Sequence, residues 1–194
     1  MKTIIAMAIL GSLICLPLWA ADPAPSSNAL FKAVRDGDSA TVKKLLNGGE
    51  DLQSRNEAGD TPLMAAALYA DAAVLELLLK AGADVNATNQ AGATALMRAA
   101  TFESKTRLLV ENGADVKARS RMGNTAILLA ARKPGNSRTV TFLLDRGADP
   151  NATNFFSATV LMAAAAAGDL DTVRLLLDRG ANVNGRPNPG TENF

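Results

Sequence analysis

Histidine is absent from this chain of 194 residues, and cysteine occurs once, at Cys15. The first absence removes the commonest general base and the commonest metal ligand. Ser–His and Cys–His pairs are therefore excluded, and a zinc-type site lacks its usual ligands. A lone cysteine leaves no disulfide within the chain. Excess charge of one sign is also missing: 20 Lys and Arg face 19 Asp and Glu, for a net charge of +1. Bulk charge thus argues against nucleic-acid binding. Aromatics make up 4% of residues against 48% apolar ones, so the chain can fold but must build its core from Leu, Val, Met and Ala. No phosphate-cradling Gly-rich loop precedes a helix. Asp36-Gly37-Asp38 lacks the further spaced ligands of a calcium loop and reads as a turn. These absences predict a non-enzymatic protein with no cofactor and no metal.

The N-terminal stretch differs from the rest. Lys2 is the only charge before Asp22, and Ile4 to Leu18 is apolar apart from Gly11 and Ser12. Ala20 and Ala21 then lead into Asp22-Pro23-Ala24-Pro25-Ser26-Ser27. A charged start, an apolar middle and a small-residue exit predict a signal peptide over residues 1–20, cleaved after Ala20, and a linker over 21–27. The alternative is an uncleaved anchor, for which the apolar run stands at the short limit. Cleavage removes Lys2 and Cys15, leaving 19 basic and 19 acidic residues and no thiol. Such a chain must stand on packing alone, and no stable membrane span remains.

The remainder repeats itself. Gly82-Ala83-Asp84-Val85-Asn86 recurs as Gly113-Ala114-Asp115-Val116-Lys117, Gly147-Ala148-Asp149-Pro150-Asn151 and Gly180-Ala181-Asn182-Val183-Asn184, with a degenerate copy from Gly49. The glycines are 33, 31, 34 and 33 residues apart. A second motif keeps the same phase: Thr61-Pro62-Leu63-Met64-Ala65-Ala66, Thr94-Ala95-Leu96-Met97-Arg98-Ala99, Thr125-Ala126-Ile127-Leu128-Leu129-Ala130 and Thr159-Val160-Leu161-Met162-Ala163-Ala164. Asn28-Ala29-Leu30-Phe31 begins an altered first copy. A fixed period near this length marks stacked supersecondary units.

Each unit reads as two helices. Thr caps the first, because its hydroxyl accepts an amide of the first turn. Pro62 suits the first helical position, where a missing N–H costs nothing. Paired apolar residues at helical spacing, such as Leu75, Leu78 and Leu79, mark one buried face of the second helix. Glycine follows, suited to a left-handed cap. Asp- and Asn-rich turns lead to the next Thr. No single pair can bury its apolar face, but five stacked pairs share a continuous core.

These units closely resemble ankyrin repeats in period, in the Thr-Pro-Leu start, in the Ala-Ala and Leu-Leu pairs and in the Gly-Ala-Asp-Val-Asn ending. The resemblance spans about 28–184, with units near 28–56, 57–89, 90–120, 121–154 and 155–184, and leaves 185–194 as a tail. It implies an all-α solenoid of about five helix-turn-helix units joined by β-hairpin-like loops. It also implies a protein that works by binding another protein. Two departures stand out. Phe31, Met64, Met97, Leu128 and Met162 occupy the place of the usual histidine, so apolar packing replaces a polar link. Unit three is two residues short and unit four one residue long, with Pro134-Gly135 inserted, which predicts a local break.

Contacts in such arrays come from loop tips and from the exposed ends of first helices. Those places hold Arg35, Leu68, Tyr69, Phe102, Arg121, Met122, Arg132, Lys133, Phe155 and Phe156. Four of the seven aromatics that follow Ala20 fall among them, and aromatic side chains are the commonest interface anchors. The competing reading has Tyr69 and Phe102 packed between helices and Phe155-Phe156 plugging a turn. The expected protein is a monomeric periplasmic adaptor that inhibits, shields or stabilises an exported partner. Alternatives are a secreted effector that meets host proteins, or a self-associating envelope protein.

Overall fold

The computed structural model describes residues 29–185. The signal-peptide and linker expectations, and all but the first residue of the tail, lie outside this range. Ten helices follow one another in five pairs among the described residues: α1 (Ala29–Arg35) with α2 (Ser39–Asn47), α3 (Pro62–Tyr69) with α4 (Ala72–Lys80), α5 (Ala95–Ala99) with α6 (Glu103–Glu111), α7 (Ala126–Ala130) with α8 (Ser137–Asp145), and α9 (Val160–Ala166) with α10 (Leu170–Asp178). First helices stack on one another in the order α1, α3, α5, α7, α9, and second helices in the order α2, α4, α6, α8, α10. The fold is therefore an all-helical solenoid.

Local chemistry sets these boundaries. Thr61, Thr94, Thr125 and Thr159 accept hydrogen bonds from the amides of Met64, Met97, Leu128 and Met162 at 3.0–3.4 Å. Each satisfies an amide that the helix itself leaves unpaired. At the far end of α4, Gly82 adopts φ +92° and the Ala83 amide donates back to the Leu78 carbonyl at 3.0 Å. That geometry closes the helix and releases the chain into the loop. Leu63, Leu96, Ile127, Leu75, Leu78, Leu109, Leu143 and Leu176 are all essentially excluded from solvent. They form one strip between the two helix rows, the arrangement that lets a repeat array fold with few aromatics.

Side-chain hydrogen bonds fix the loops. The Asn89 side chain accepts from the amides of Ala91 and Ala93, both at 2.9 Å, while its own amide donates to the Ala93 carbonyl. Asn56 and Asn154 repeat this pattern. The tips then join in a ladder: Gln90 N–H donates to the Ala58 carbonyl, Arg121 to Ala91 and Phe155 to Met122, at 3.2, 2.9 and 3.1 Å. The loops thus carry hairpin-like pairing without a regular strand among the described residues; one isolated bridge joins Thr153 and Thr159.

Units three and four differ where their lengths differ. Asp38, Asp71 and Asp169 cap the second helices of units one, two and five. Phe102 and Asn136 stand at the corresponding positions of α6 and α8 and give no capping bond. The first helices α5 and α7 are also shorter than α3 and α9. The stack nevertheless stays continuous there, because polar side chains bridge the turns. Buried Lys105 donates to the Ala70 carbonyl at 3.1 Å, and buried Asn136 donates to the carbonyls of Ala100 and Ala130. The inserted Gly135 amide donates to the Asp169 carboxylate of the next unit at 2.9 Å.

Candidate protein-binding surface

The candidate residues fall into three places. Arg121, Met122, Phe155 and Phe156 sit on neighbouring loop tips, which the ladder bond from Phe155 to Met122 holds together. Phe155 and Phe156 are 67% and 70% exposed, and Met122 is 47% exposed. These are large apolar side chains that the array itself leaves uncovered. The Phe155 ring still has a structural seat, since its edge lies over Gly123, where an added Cβ would meet it at 3.0 Å. Turn-plugging and exposure therefore coexist in Phe155, while the Phe156 ring is free of that role.

A second group lies around the shortened turn of unit three. Phe102 is 40% exposed and is flanked by two ammonium groups, Lys105 at 3.9 Å and Lys133 at 5.5 Å from the ring centre. Cation–ring attraction of this kind fixes the ring. Lys133 also donates to the Thr101 carbonyl at 2.7 Å, tying unit four to unit three. Burial pushes the Lys105 ammonium below its ordinary pKa, with Asp71 acting in the opposite sense. Phe102 and Lys133 are thus partly structural.

The third place is a shallow groove between units four and five, lined by Arg132, Ala158, Met162, Ala163, Ala166 and Ala167. Its floor exists because unit five has Ala166 and Ala167 where unit two carries Leu68 and Tyr69. Arg132 and Arg121 are exposed and have no ion-pair partner among the described residues. Tyr69 is 43% exposed at the end of α3, and Leu68 beside it is half-buried. Arg35 is exposed at the end of α1, in the first unit, far along the stack from the groove.

One polar cluster was not legible from the sequence. The Asp60 carboxylate is 6% exposed and receives both contacts from the Arg98 guanidinium at 2.7 Å, plus the Asn89 side-chain amide at 2.7 Å. It joins the loop of unit two to the first helix of unit three, so a polar link between units persists although the histidines are gone. The available signal was Arg98, a charge inside an otherwise apolar Thr-Ala-Leu-Met-Arg-Ala-Ala helix. Asp169 is comparably enclosed. Burial pushes its carboxyl up, but the Thr172 hydroxyl and the amides of Thr172, Gly135 and Asn136 together outweigh that, holding it below the usual carboxylate range.

Profiles of known families agree with this architecture. One for three copies of the ankyrin repeat matches residues 5–89, 30–120 and 71–154, and one for many copies matches 143–188. The chain belongs to the ankyrin-repeat family. Ankyrin repeats are protein-interaction modules and are generally non-enzymatic, so the surface just described is to be read for protein partners. No curated protein matches the chain. No helix among the described residues is long and apolar enough to cross a membrane.

Proposed function

We propose that this ankyrin-repeat chain is a non-enzymatic adaptor exported to a Gram-negative periplasm. There it holds another exported protein on its first-helix and loop-tip surface and inhibits, shields or stabilises that partner by occupying it. The observation that carries the reading is the exposed aromatic tip of unit five. Phe155 and Phe156 protrude at 67% and 70% exposure beside Met122. Exposed apolar groups clustered within reach of one another mark interaction sites more often than isolated ones. Unpaired Arg121 and Arg132 flank the tip and groove and favour a partner face with acidic groups, since complementary charge steers encounter and fixes register. The export half of the reading rests on the signal-like residues 1–20.

The test is to express the full chain with an affinity tag in a Gram-negative cell, recover it from the periplasm, and determine its N-terminal residue. A product beginning at Ala21 with a stoichiometric exported partner supports the adaptor. A cytoplasmic product with an intact Met1 removes the export half. Recovery from the medium, bound to no bacterial protein, favours the secreted effector.

A further inference from the structure

Four methionines lie among the described residues, and they divide into two pairs. Met64 and Met97 are 1% and 6% exposed, in first helices that stack against the following unit. Met162 holds the same place in unit five, three residues after its capping threonine, and is 50% exposed. Met122 is 47% exposed at the tip of unit four, in the place that Ala58 and Ala91 take in units two and three. Alanine makes the same ladder bond there, so packing does not account for a thioether at Met122.

Both exposed methionines stand on the surface given to the partner. Met162 lines the groove together with Arg132. The Met122 carbonyl accepts the Phe155 amide at 3.1 Å, which places Met122 beside the aromatic tip. Methionine is also the readily oxidised side chain of this surface, because Cys15, the one thiol of the chain, lies within the signal-like segment.

Oxidation of a thioether by a hydroperoxide is a balanced two-electron step. A sulfur lone pair takes the outer peroxide oxygen, the O–O bond breaks, an S–O bond forms, and water leaves when the oxidant is hydrogen peroxide. Sulfur is oxidised and the peroxide reduced by the same two electrons. The sulfoxide is polar and can be reduced back enzymatically. In the free array its oxygen stays in water at Met122 and Met162, so the fold has no reason to yield. Against an apolar partner that oxygen loses its water and opposes binding. At Met64 or Met97 it would enter the core, but burial closes those two sulfurs to the oxidant.

We infer that Met122 and Met162 form a paired oxidation site through which a hydroperoxide releases the partner from the tip and groove while the array stays folded. This rests on the reading of that surface as the partner's.

The experiment treats the full chain with hydrogen peroxide and follows each methionine by peptide mass. Thermal unfolding and capture of exported proteins are read on the same samples. Met122 and Met162 are expected to gain one oxygen each about tenfold or more faster than Met64 and Met97, with a cooperative unfolding transition retained. Capture falls by about tenfold or more and returns after treatment with methionine sulfoxide reductases. A double variant, Met122→Leu with Met162→Leu, keeps side-chain volume and holds the partner through the same treatment. Oxidation of all four methionines at one rate overturns the inference, as does unfolding in step with the oxidation of Met122 and Met162. Release from the peroxide-treated double variant overturns it by placing the oxidation elsewhere. An oxidised chain that binds as well as the untreated one overturns it too, and Phe156→Ser then locates the failure. A partner lost by Phe156→Ser leaves the surface reading standing, whereas a partner held by Phe156→Ser removes that reading as well. A parent chain that captures no exported protein removes both.

Discussion

Two loops of this array share a backbone and its asparagine bonds and differ in their tip residues. The loop at Asn89 and the loop at Asn154 make the same pair of side-chain hydrogen bonds, and both tips join the ladder. The first carries Ala91-Gly92 and is pressed between its neighbours, above the buried Asp60–Arg98 pair. The second carries Phe155-Phe156-Ser157, with Ser157 at φ +59° where the other tips use glycine. The asparagine thus sets the loop, and the tip residues are free to vary wherever stacking does not constrain them. At the interior tips the glycine lies against the next tip, while Gln90, Ala91 and Met122 remain exposed. The unit-five tip instead carries two exposed aromatics and a serine in the left-handed region.

Mutations should separate the two loops by size of effect. Arg98→Ala strands a carboxylate that is 6% exposed. It is expected to cost roughly 3 kcal/mol, toward the low end for breaking a buried pair because Arg98 itself is partly exposed. Urea denaturation reads this as a lower midpoint. Gly92→Ala adds a left-handed penalty to a Cβ that would lie 2.9 Å from the Arg121 amide, a loss of about 2 kcal/mol. An effect below that of an ordinary surface change would show that the interior tips are not pressed together.

Asp169→Ala removes the cap of α10 and the acceptor for Gly135. The expected cost is about 1–2 kcal/mol. Asp169 also gives an acid signature. Its folded pKa lies below its unfolded value, so the native state binds fewer protons and the contribution is full above the unfolded value near 3.8. It is lost as pH falls through the folded pKa. Replacing Asp169 with Asn should flatten the fall in stability below about pH 4.

Ser157→Gly has the opposite sign from Gly92→Ala. Relief of the left-handed strain should outweigh the added freedom of the unfolded chain and stabilise by about 0.5–1 kcal/mol. A loss of stability instead would mean that the serine side chain makes a native contact of its own. The smallest effect concerns Lys105, whose folded pKa is depressed by burial. The unfolded chain then binds the extra proton between the folded and unfolded pKa values, so stability rises with pH across that window. Lys105→Met should remove this rise, measured as thermal midpoint against alkaline pH.

The helices, their threonine caps and the paired leucines were readable from sequence because each depends on residues within one unit. The exposure of Phe155 and Phe156 followed from their place at a tip. The Asp60–Arg98–Asn89 cluster was hidden because its members lie up to 38 residues apart and separately read as surface polar groups. The double role of Phe102 was hidden for a related reason. Shortening unit three by two residues turns a contact position into a helix-cap position and brings two lysines to its ring. Length changes in one unit act through the neighbouring unit, and a motif read unit by unit does not register them.

The central claim is that binding lives on the tip and groove of unit five. The direct measurement is capture of exported proteins on the parent chain and on Phe156→Ser and Arg132→Glu, each first confirmed to unfold within about 0.5 kcal/mol of the parent. Neither residue is buried, so both variants should remain folded. The account predicts a single partner held by the parent and lost by both variants. A partner held equally by all three proteins would contradict it and move the surface elsewhere on the array.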